Sequence, residues 1–422
     1  MSGLAKRVDV LIVGAGPVGL LSATLLDGHG LSVAVVDEDW RPAVHAYAAL
    51  LHPDVAALLG RLGLGDELRS RGRRIATVAF YGGGERRAEL RLEGSAGAAA
   101  PALAIPQSSL EELLLAAAAR RGVEPAWNHR LAAFELRPDG VVAWVDRLER
   151  VSGGYALAGT SRAVGGSTTV HARWLVGADG HRSAVRRILG SAFAEAAPGC
   201  VVGAFEFATP VETGDEVRVA LDEGTIGTFW PLPDGRCRWG FELPADAAAV
   251  ARASGGRPPV LLGRRAWLTI RPEVLDALLA SRASWFPRRI ADLTWSVAVR
   301  FDRRLAEPPG RGPVWLVGDA AHVTVPFGAW SLNRGLVEAA ELAERIAGAG
   351  GHDRPVALEE WCATLSARWR KLLGPGAGYS AGPAADDWVR RNAALLAGCV
   401  PAGGEELERA LAQVGLVPTD AS

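Results

Sequence analysis

"VDVLIVGAGPVGLLSATLL", residues Val8 to Leu26, decides how this chain begins to fold. Val8–Val13 is a mostly apolar run that ends at glycine, the pattern of a strand buried on both faces. Leu20–Leu26 carries its apolar residues at helical spacing. Between them stands Gly14-Ala15-Gly16-Pro17-Val18-Gly19. Gly14 permits a tight turn. Gly16 lets a pyrophosphate approach the backbone at a helix N-terminus, and Gly19 lets helix and strand pack closely. A second apolar run, Ser32–Asp37, ends in a carboxylate suited to ribose hydroxyls. This is a βαβ unit of a Rossmann-like fold, and the motif alone does not say which dinucleotide it takes.

The rest of the composition narrows the class. The chain has 422 residues, 49% apolar and 22% charged, with a net charge of -1, so it carries no electrostatic footprint for nucleic acid or an anionic membrane surface. Lys6 and Lys371 are the only lysines, which excludes a lysine-dependent mechanism elsewhere in the chain. Cys200, Cys237, Cys362 and Cys399 lie far apart, with no spacing that suggests a metal or redox pair. No stretch is apolar enough for a bilayer span, and a reduced, cytoplasmic protein is the default expectation. The glycines, Pro17 and Asp9 argue against reading the N-terminus as a signal peptide.

Working outward, Pro53–Arg69 and Leu110–Arg121 read as helices, the second with Ser108 or Ser109 as its N-cap. Leu131–Arg147 alternates as two strands about a turn at Pro138-Asp139-Gly140. Beyond Ser191 strand-like runs dominate. "GTFWPLPDGRCRWGFEL" turns at Asp234-Gly235, as a hairpin would. Asn333–Ala347 reads as a helix, and the last seventy or so residues are mostly helical with a break around Gly374–Pro383. The expected division is residues 1–73, 101–190 and 291–350 for the nucleotide-binding part. Residues 74–100 and 191–290 form an inserted β-rich substrate part, and 351–422 a C-terminal helical region. The fold class is α/β.

Two further motifs follow strand-like runs. One is Asp179-Gly180, in "ADGHRSAVRR", which alone would read as a surface turn. The other is Gly318-Asp319, in "GDAAHVTVPFGAWSLNRG". A strand ending in Gly-Asp can aim one carboxylate at a polyol, and a helix beginning near Asn333 points its positive end at what lies before it. Taken together, the three motifs resemble the FAD-dependent monooxygenases of the para-hydroxybenzoate hydroxylase type, over roughly residues 8 to 350. The resemblance implies FAD as cofactor, NAD(P)H as co-substrate, O2 as oxygen source and an electron-rich aromatic substrate. It implies that Gly14, Gly16, Pro17, Val18 and Gly19 hold the pyrophosphate and Asp37 the adenosine ribose. Asp179 falls on the motif linked to FAD and NAD(P)H use, and Gly318-Asp319 on the motif that binds the ribityl chain. Pro326, Gly328, Ser331, Leu332 and Asn333 fall on the loop beside the flavin ring, and Gln107 on a position that touches the flavin.

The chain departs from this family in three places, the mildest being Glu338 on a helix where the family commonly has aspartate. Where the family writes Gly-Gly-x-Gly-x-Asn, it has Gly328-Ala329-Trp330-Ser331-Leu332-Asn333. Ser331 keeps a backbone N–H but loses glycine's access to positive φ. Near "HAYAALLHP", where the family places an arginine, it has Tyr47. Trp230, Trp239 and Trp330 are candidate pocket residues, each weighed against plain core packing. Arg236 and Arg238 read as a solvated face, with the anchoring of an acidic group as the alternative, Arg288-Arg289 as surface charge, and His322 as a structural part of its turn. The leading function is aromatic hydroxylation, with natural-product intermediates one candidate substrate class. A fainter similarity points to enzymes that hydroxylate a protein-bound tryptophan during quinone cofactor maturation. A non-catalytic flavin-fold binding protein is the alternative from a different class. Flavin halogenases, which need a lysine near the flavin, are disfavoured by the positions of Lys6 and Lys371.

Overall fold

The computed structural model describes residues 4–40, 50–92, 100–151, 161–244, 260–262, 265–287, 290–348 and 354–419. The opening stretch forms the strand Arg7–Val13, the helix Pro17–Gly28 and the strand Val33–Asp37. The first strand pairs in parallel with Val33–Asp37 on one side and with the end of a long strand, Ser161–Gly177, on the other. Val314–Leu316 adds in parallel to Leu175–Gly177. Val10 and Ile12 face the layer holding helices Pro17–Gly28 and Trp330–Gly348, while Leu11 and Val13 face the opposite layer with Val185 and Leu189. Burial on both faces is why these strands read as unbroken apolar runs.

This register explains why motifs far apart in sequence act as one. Val13, Gly177 and Leu316 end three neighbouring parallel strands, and each is followed directly by one motif. The crevice outside the carboxyl ends of such strands is where an open α/β sheet takes its ligand.

A second sheet, of ten strands, includes Ala291–Glu307, Ala192–Ala208, Arg236–Leu243, Thr225–Pro231, Glu216–Asp222 and Thr77–Gly82 in that order. His322–Val323, just past the Gly318-Asp319 turn, pairs with Arg304-Leu305 of this sheet and so joins the two layers. One sheet face packs Phe205, Phe229, Trp239 and Phe241 under the helix Pro272–Arg282. The other packs Val202, Val219 and Trp230 with Phe327, Trp330 and the C-terminal residues Leu396–Val400. The chain is thus α/β, with a Rossmann-like parallel core, added β-sheets and C-terminal helices.

Three local expectations change. The helix expected from Leu110 starts at Gln107, so Ser108 and Ser109 lie inside its first turn and Pro106 precedes it without a side-chain cap. The helix expected over Pro53–Arg69 is split into Pro53–Leu59 and Gly65–Arg71, because Gly63 takes φ 79 between them. The helix expected from Asn333 begins at Trp330. Strands Thr225–Pro231 and Arg236–Leu243 do meet at Asp234 and Gly235, with φ 59 and 69, the positive pair a tight hairpin turn demands.

Candidate functional site

The three glycines of the first motif have three different physical reasons. Gly14 takes φ +107, and a Cβ there would stand 2.2 Å from the carbonyl oxygen of Ala178. The tight turn is therefore pressed against the second motif. A Cβ on Gly19 would stand 1.9 Å from the oxygen of Gly14, so helix and turn touch backbone to backbone. Among the described residues, apart from Gly16 and its two chain neighbours, no atom lies within 4 Å of a Cβ added at Gly16. Its helix has no side-chain cap and no acidic residue in the first turn, leaving the N-terminal N–H groups without an acceptor from a side chain. The short helix Ala184–Leu189 contrasts with it. Its N-terminus is closed by Ser183 Oγ, which accepts from Arg186 N–H at 2.9 Å, and by Asp179 Oδ2, which accepts from Ala184 N–H at 2.6 Å.

Asp37 fixes the turn from the other side. Its Oδ2 accepts from Ala15 N–H and its Oδ1 from Asp39 N–H, both at 2.7 Å. Burial raises its carboxyl above the ordinary range, against the pull of those two N–H groups. Burial likewise raises Asp179, whose Oδ1 has no hydrogen-bond partner among the described residues. Asp319 is exposed between buried Gly318 and Ala320, at the lip of the crevice rather than in an enclosed position.

Two side chains tie the motifs together: Arg186, the last residue of the second motif, and Glu338, at a position where the family commonly has aspartate. Arg186 is buried and donates to His181 O at 2.7 Å and Ala320 O at 2.8 Å, bridging the second and third motifs. An arginine among the apolar residues of a short helix was the available signal. Glu338 accepts from Gly318 N–H, from His322 Nε2 at 2.6 Å and from Trp369 Nε1 at 2.7 Å. His322 also stacks on Trp369 at 3.7 Å, so it is a structural part of the turn. Gly335 completes the packing: a Cβ there would lie 2.8 Å from Gly318 Cα and 3.0 Å from Val18 Cγ2. Gln107 opens its helix and donates to Glu111 Oε1 at 2.8 Å.

The altered loop is the largest difference from expectation. Ser331 lies in the first helical turn, and its Oγ accepts from Thr324 N–H at 3.2 Å. The positive φ falls instead on Ala329, at 55, where an L-residue carries strain of about 1–3 kcal/mol. Gly328 must be glycine because Trp330 Nε1 stands 2.1 Å from where its Cβ would be. Trp330 is buried beside Phe327 and Val325. Asn333 is fully buried; its Nδ2 donates to Leu50 O and Ala329 O, and its Oδ1 accepts from His52 N–H. The Asn333 side chain is thus committed to holding the loop. Tyr47 and Arg288-Arg289 lie outside the described residues.

On the ten-stranded sheet, Trp230 and Trp239 point to opposite faces. Trp239 is packed beneath the helix Pro272–Arg282, so it does not line a cleft on the Trp230 side. Arg238 corrects the expectation of a solvated face. It is buried on the Trp230 side, with Nε and Nη2 donating to Glu206 Oε2 at 3.1 and 2.6 Å. Arg236 also pairs with Glu206.

The family model described as "FAD binding domain" matches residues 7–240 and 270–359, spanning all three motifs. The chain belongs to the FAD-dependent aromatic monooxygenases of the para-hydroxybenzoate hydroxylase type. It is 29% identical to a rifampicin monooxygenase of Rhodococcus hoagii, over 83% of this chain and 66% of that protein. It is 30% identical to the para-nitrophenol 4-monooxygenase of Pseudomonas sp. (strain WBC-3), over 80% of this chain and 77% of that one. The solved p-nitrophenol 4-monooxygenase of Pseudomonas putida DLL-E4 superposes with a TM-score of 0.65 at 21% identity, covering 97% of this chain and 98% of the other. The chain spans only 59–66% of the first three curated relatives. Within this family an open Gly16, a helix N-terminus free of side-chain acceptors and the immobilised Asp37 fit the pyrophosphate and ribose of FAD. No helix among the described residues is long and apolar enough to cross a membrane.

Proposed function

We propose that this chain is an FAD-dependent monooxygenase that takes electrons from NAD(P)H and hydroxylates an electron-rich aromatic compound with O2. The observation that carries the reading is the meeting of three motifs at the ends of three parallel strands, with space at Gly16 that no other described residue fills. FAD, when bound, supplies the electron transfer and oxygen activation. The protein binds, orients and excludes water.

Gly14, Gly16 and Gly19, with Pro17 opening the helix and the N–H groups from Val18 onward, would bind the pyrophosphate. Asp37 would take the adenosine ribose, and Gly318-Asp319 the ribityl chain. Pro326, Gly328, Ser331, Leu332 and Asn333 would form and hold the wall beside the ring, with Gln107 near it and Asp179 steadying the adjoining turn. Trp330 and Trp230 share one apolar cluster, and such a wall would keep water from the reacting ring.

The similar proteins include a 6-methylpretetramide 4-monooxygenase and an aklavinone 12-hydroxylase, both from Streptomyces species. Those names support an aromatic natural-product intermediate as substrate. They favour neither a protein-bound tryptophan nor a non-catalytic role. The four cysteines are free thiols, in keeping with a reducing, cytoplasmic setting.

The test is purification without added flavin, followed by anaerobic NADH or NADPH addition. Yellow protein whose visible absorbance bleaches, and which consumes O2 faster with a polycyclic phenol present, supports the proposal. Colourless protein that takes up no FAD on titration overturns it.

A further inference from the structure

The loop Pro326–Ser331 contains a residue in a conformation that its side chain resists. Ala329 takes φ 55, and L-residues persist there only where their surroundings over-determine the backbone. Two side chains grip the peptides on either side of Ala329. Asn333 Nδ2 donates to Ala329 O at 2.7 Å, and His52 Nε2 lies 2.8 Å from Gly328 O. A carbonyl oxygen only accepts, so Nε2 carries the proton and Nδ1 is the bare nitrogen. Nδ1 has no hydrogen-bond partner among the described residues, and Trp330 meets the imidazole edge-on, with centroids 5.5 Å apart at 86°. The backbone N–H of His52 donates to Asn333 Oδ1 at 2.8 Å, so one residue steadies both grips.

We propose that His52 is a positioning residue for the loop beside the flavin ring, its Nε2–H holding the Gly328–Ala329 peptide in the left-handed conformation that alanine alone would leave. The proposal rests on the reading of the loop as the ring's border. His52 is fully buried, and burial is the largest cause of its low pKa, about 4, with Arg334 lowering it further and Asp54 opposing. The imidazole is therefore neutral at working pH and keeps a single tautomer.

The experiment compares His52→Gln, which retains an N–H donor, with His52→Leu, which fills the space without one. Each is made in the wild-type and the Ala329→Gly background. The readouts are apoprotein melting temperature, FAD dissociation constant, the visible spectrum of bound flavin, and peroxide released per NAD(P)H. The expected result is that His52→Leu weakens FAD binding by about tenfold, shifts the spectrum and raises peroxide, while His52→Gln stays within about threefold of wild type. Ala329→Gly should recover most of the His52→Leu loss, because glycine holds positive φ unaided. Equal losses in the Gln and Leu variants, or an undiminished loss in the glycine background, would overturn the proposal. Should wild type bind no flavin, the monooxygenase reading fails separately. The melting temperatures then decide: non-additive effects at 52 and 329 support the grip and additive ones refute it.

Discussion

Gly16→Val should leave the apoprotein folded and remove FAD binding, whereas Gly14→Ala, two residues away, should damage the fold itself. At Gly16 the backbone angles are φ -73 and ψ 179, which valine adopts readily, and an added Cβ meets nothing within 4 Å. The apoprotein should lose no more than about 1 kcal/mol from a poorer helix start. At Gly14 the φ of +107 is strained for any L-residue, and the Cβ would sit 2.2 Å from Ala178 O. That backbone cannot easily yield, because Ala178 N–H is bonded to Val13 O at 2.8 Å. Conformational strain of about 1–3 kcal/mol and overpacking of about 1–3 kcal/mol add to about 2–6 kcal/mol. This is a large part of the roughly 5–15 kcal/mol that keeps a domain folded. The assays are thermal denaturation of flavin-free protein and FAD titration followed by flavin fluorescence. Should Gly16→Val melt as early as Gly14→Ala, the open space is misread. Should it bind FAD as wild type does, the pyrophosphate lies elsewhere.

Asp319→Ala should lower FAD affinity by about tenfold or more through loss of charge-assisted hydrogen bonds to hydroxyls, with little change in apoprotein melting because the side chain is exposed; unchanged affinity would remove it from the site. Arg186→Met should cost about 1–3 kcal/mol by leaving the oxygens of His181 and Ala320 without their donor, read as a lower melting temperature together with weaker FAD binding. Trp330→Ala should destabilise by about 3–5 kcal/mol and raise peroxide release relative to product; a well-coupled variant would show that Trp330 is not part of the wall. His52 is held at about 4 in the folded protein, so between pH 6.5 and 4 the native state binds fewer protons than the unfolded chain. Stability from this group is present above that window and falls by about 3 kcal/mol as pH drops through it. Asp37 and Asp179, raised by burial, work in the opposite sense, so the quantity to measure is the wild-type slope minus that of His52→Gln.

The first motif was legible because each of its parts repeats a local rule. An apolar run, a glycine turn and a leucine-spaced helix can be read within twenty residues, and Asp37 follows at the end of the next strand. The second and third motifs were legible only as a set, since an isolated Asp-Gly reads as a surface turn. What the sequence could not display was the reason they belong together: Leu175 beside Leu11 and Val314 beside Leu175, a register set by pairing across more than a hundred residues. Arg186 and Arg238 show the complementary failure. Both look like surface charge by type, because arginine is seldom buried without partners. Their partners, two backbone carbonyls for one and Glu206 for the other, come from distant segments that only the fold brings near.

The altered loop shows why residue type underdetermines backbone conformation. Of the three glycines in the family pattern this chain replaces two, at 329 and 331, and the sequence cannot tell which one needs positive φ. Starting the helix at Trp330 resolves this: Ser331 becomes an ordinary first-turn residue, and the whole conformational burden moves to Ala329. The same early start lays the indole over Gly328, so the remaining glycine is fixed by Trp330 as much as by any ligand. One alanine in the left-handed region costs little beside three hydrogen bonds that fix its neighbourhood, His52 to Gly328 and Asn333 to Leu50 and Ala329. The substitutions are therefore compatible with a rigid loop of defined shape, held by buried Asn333 and neutral His52.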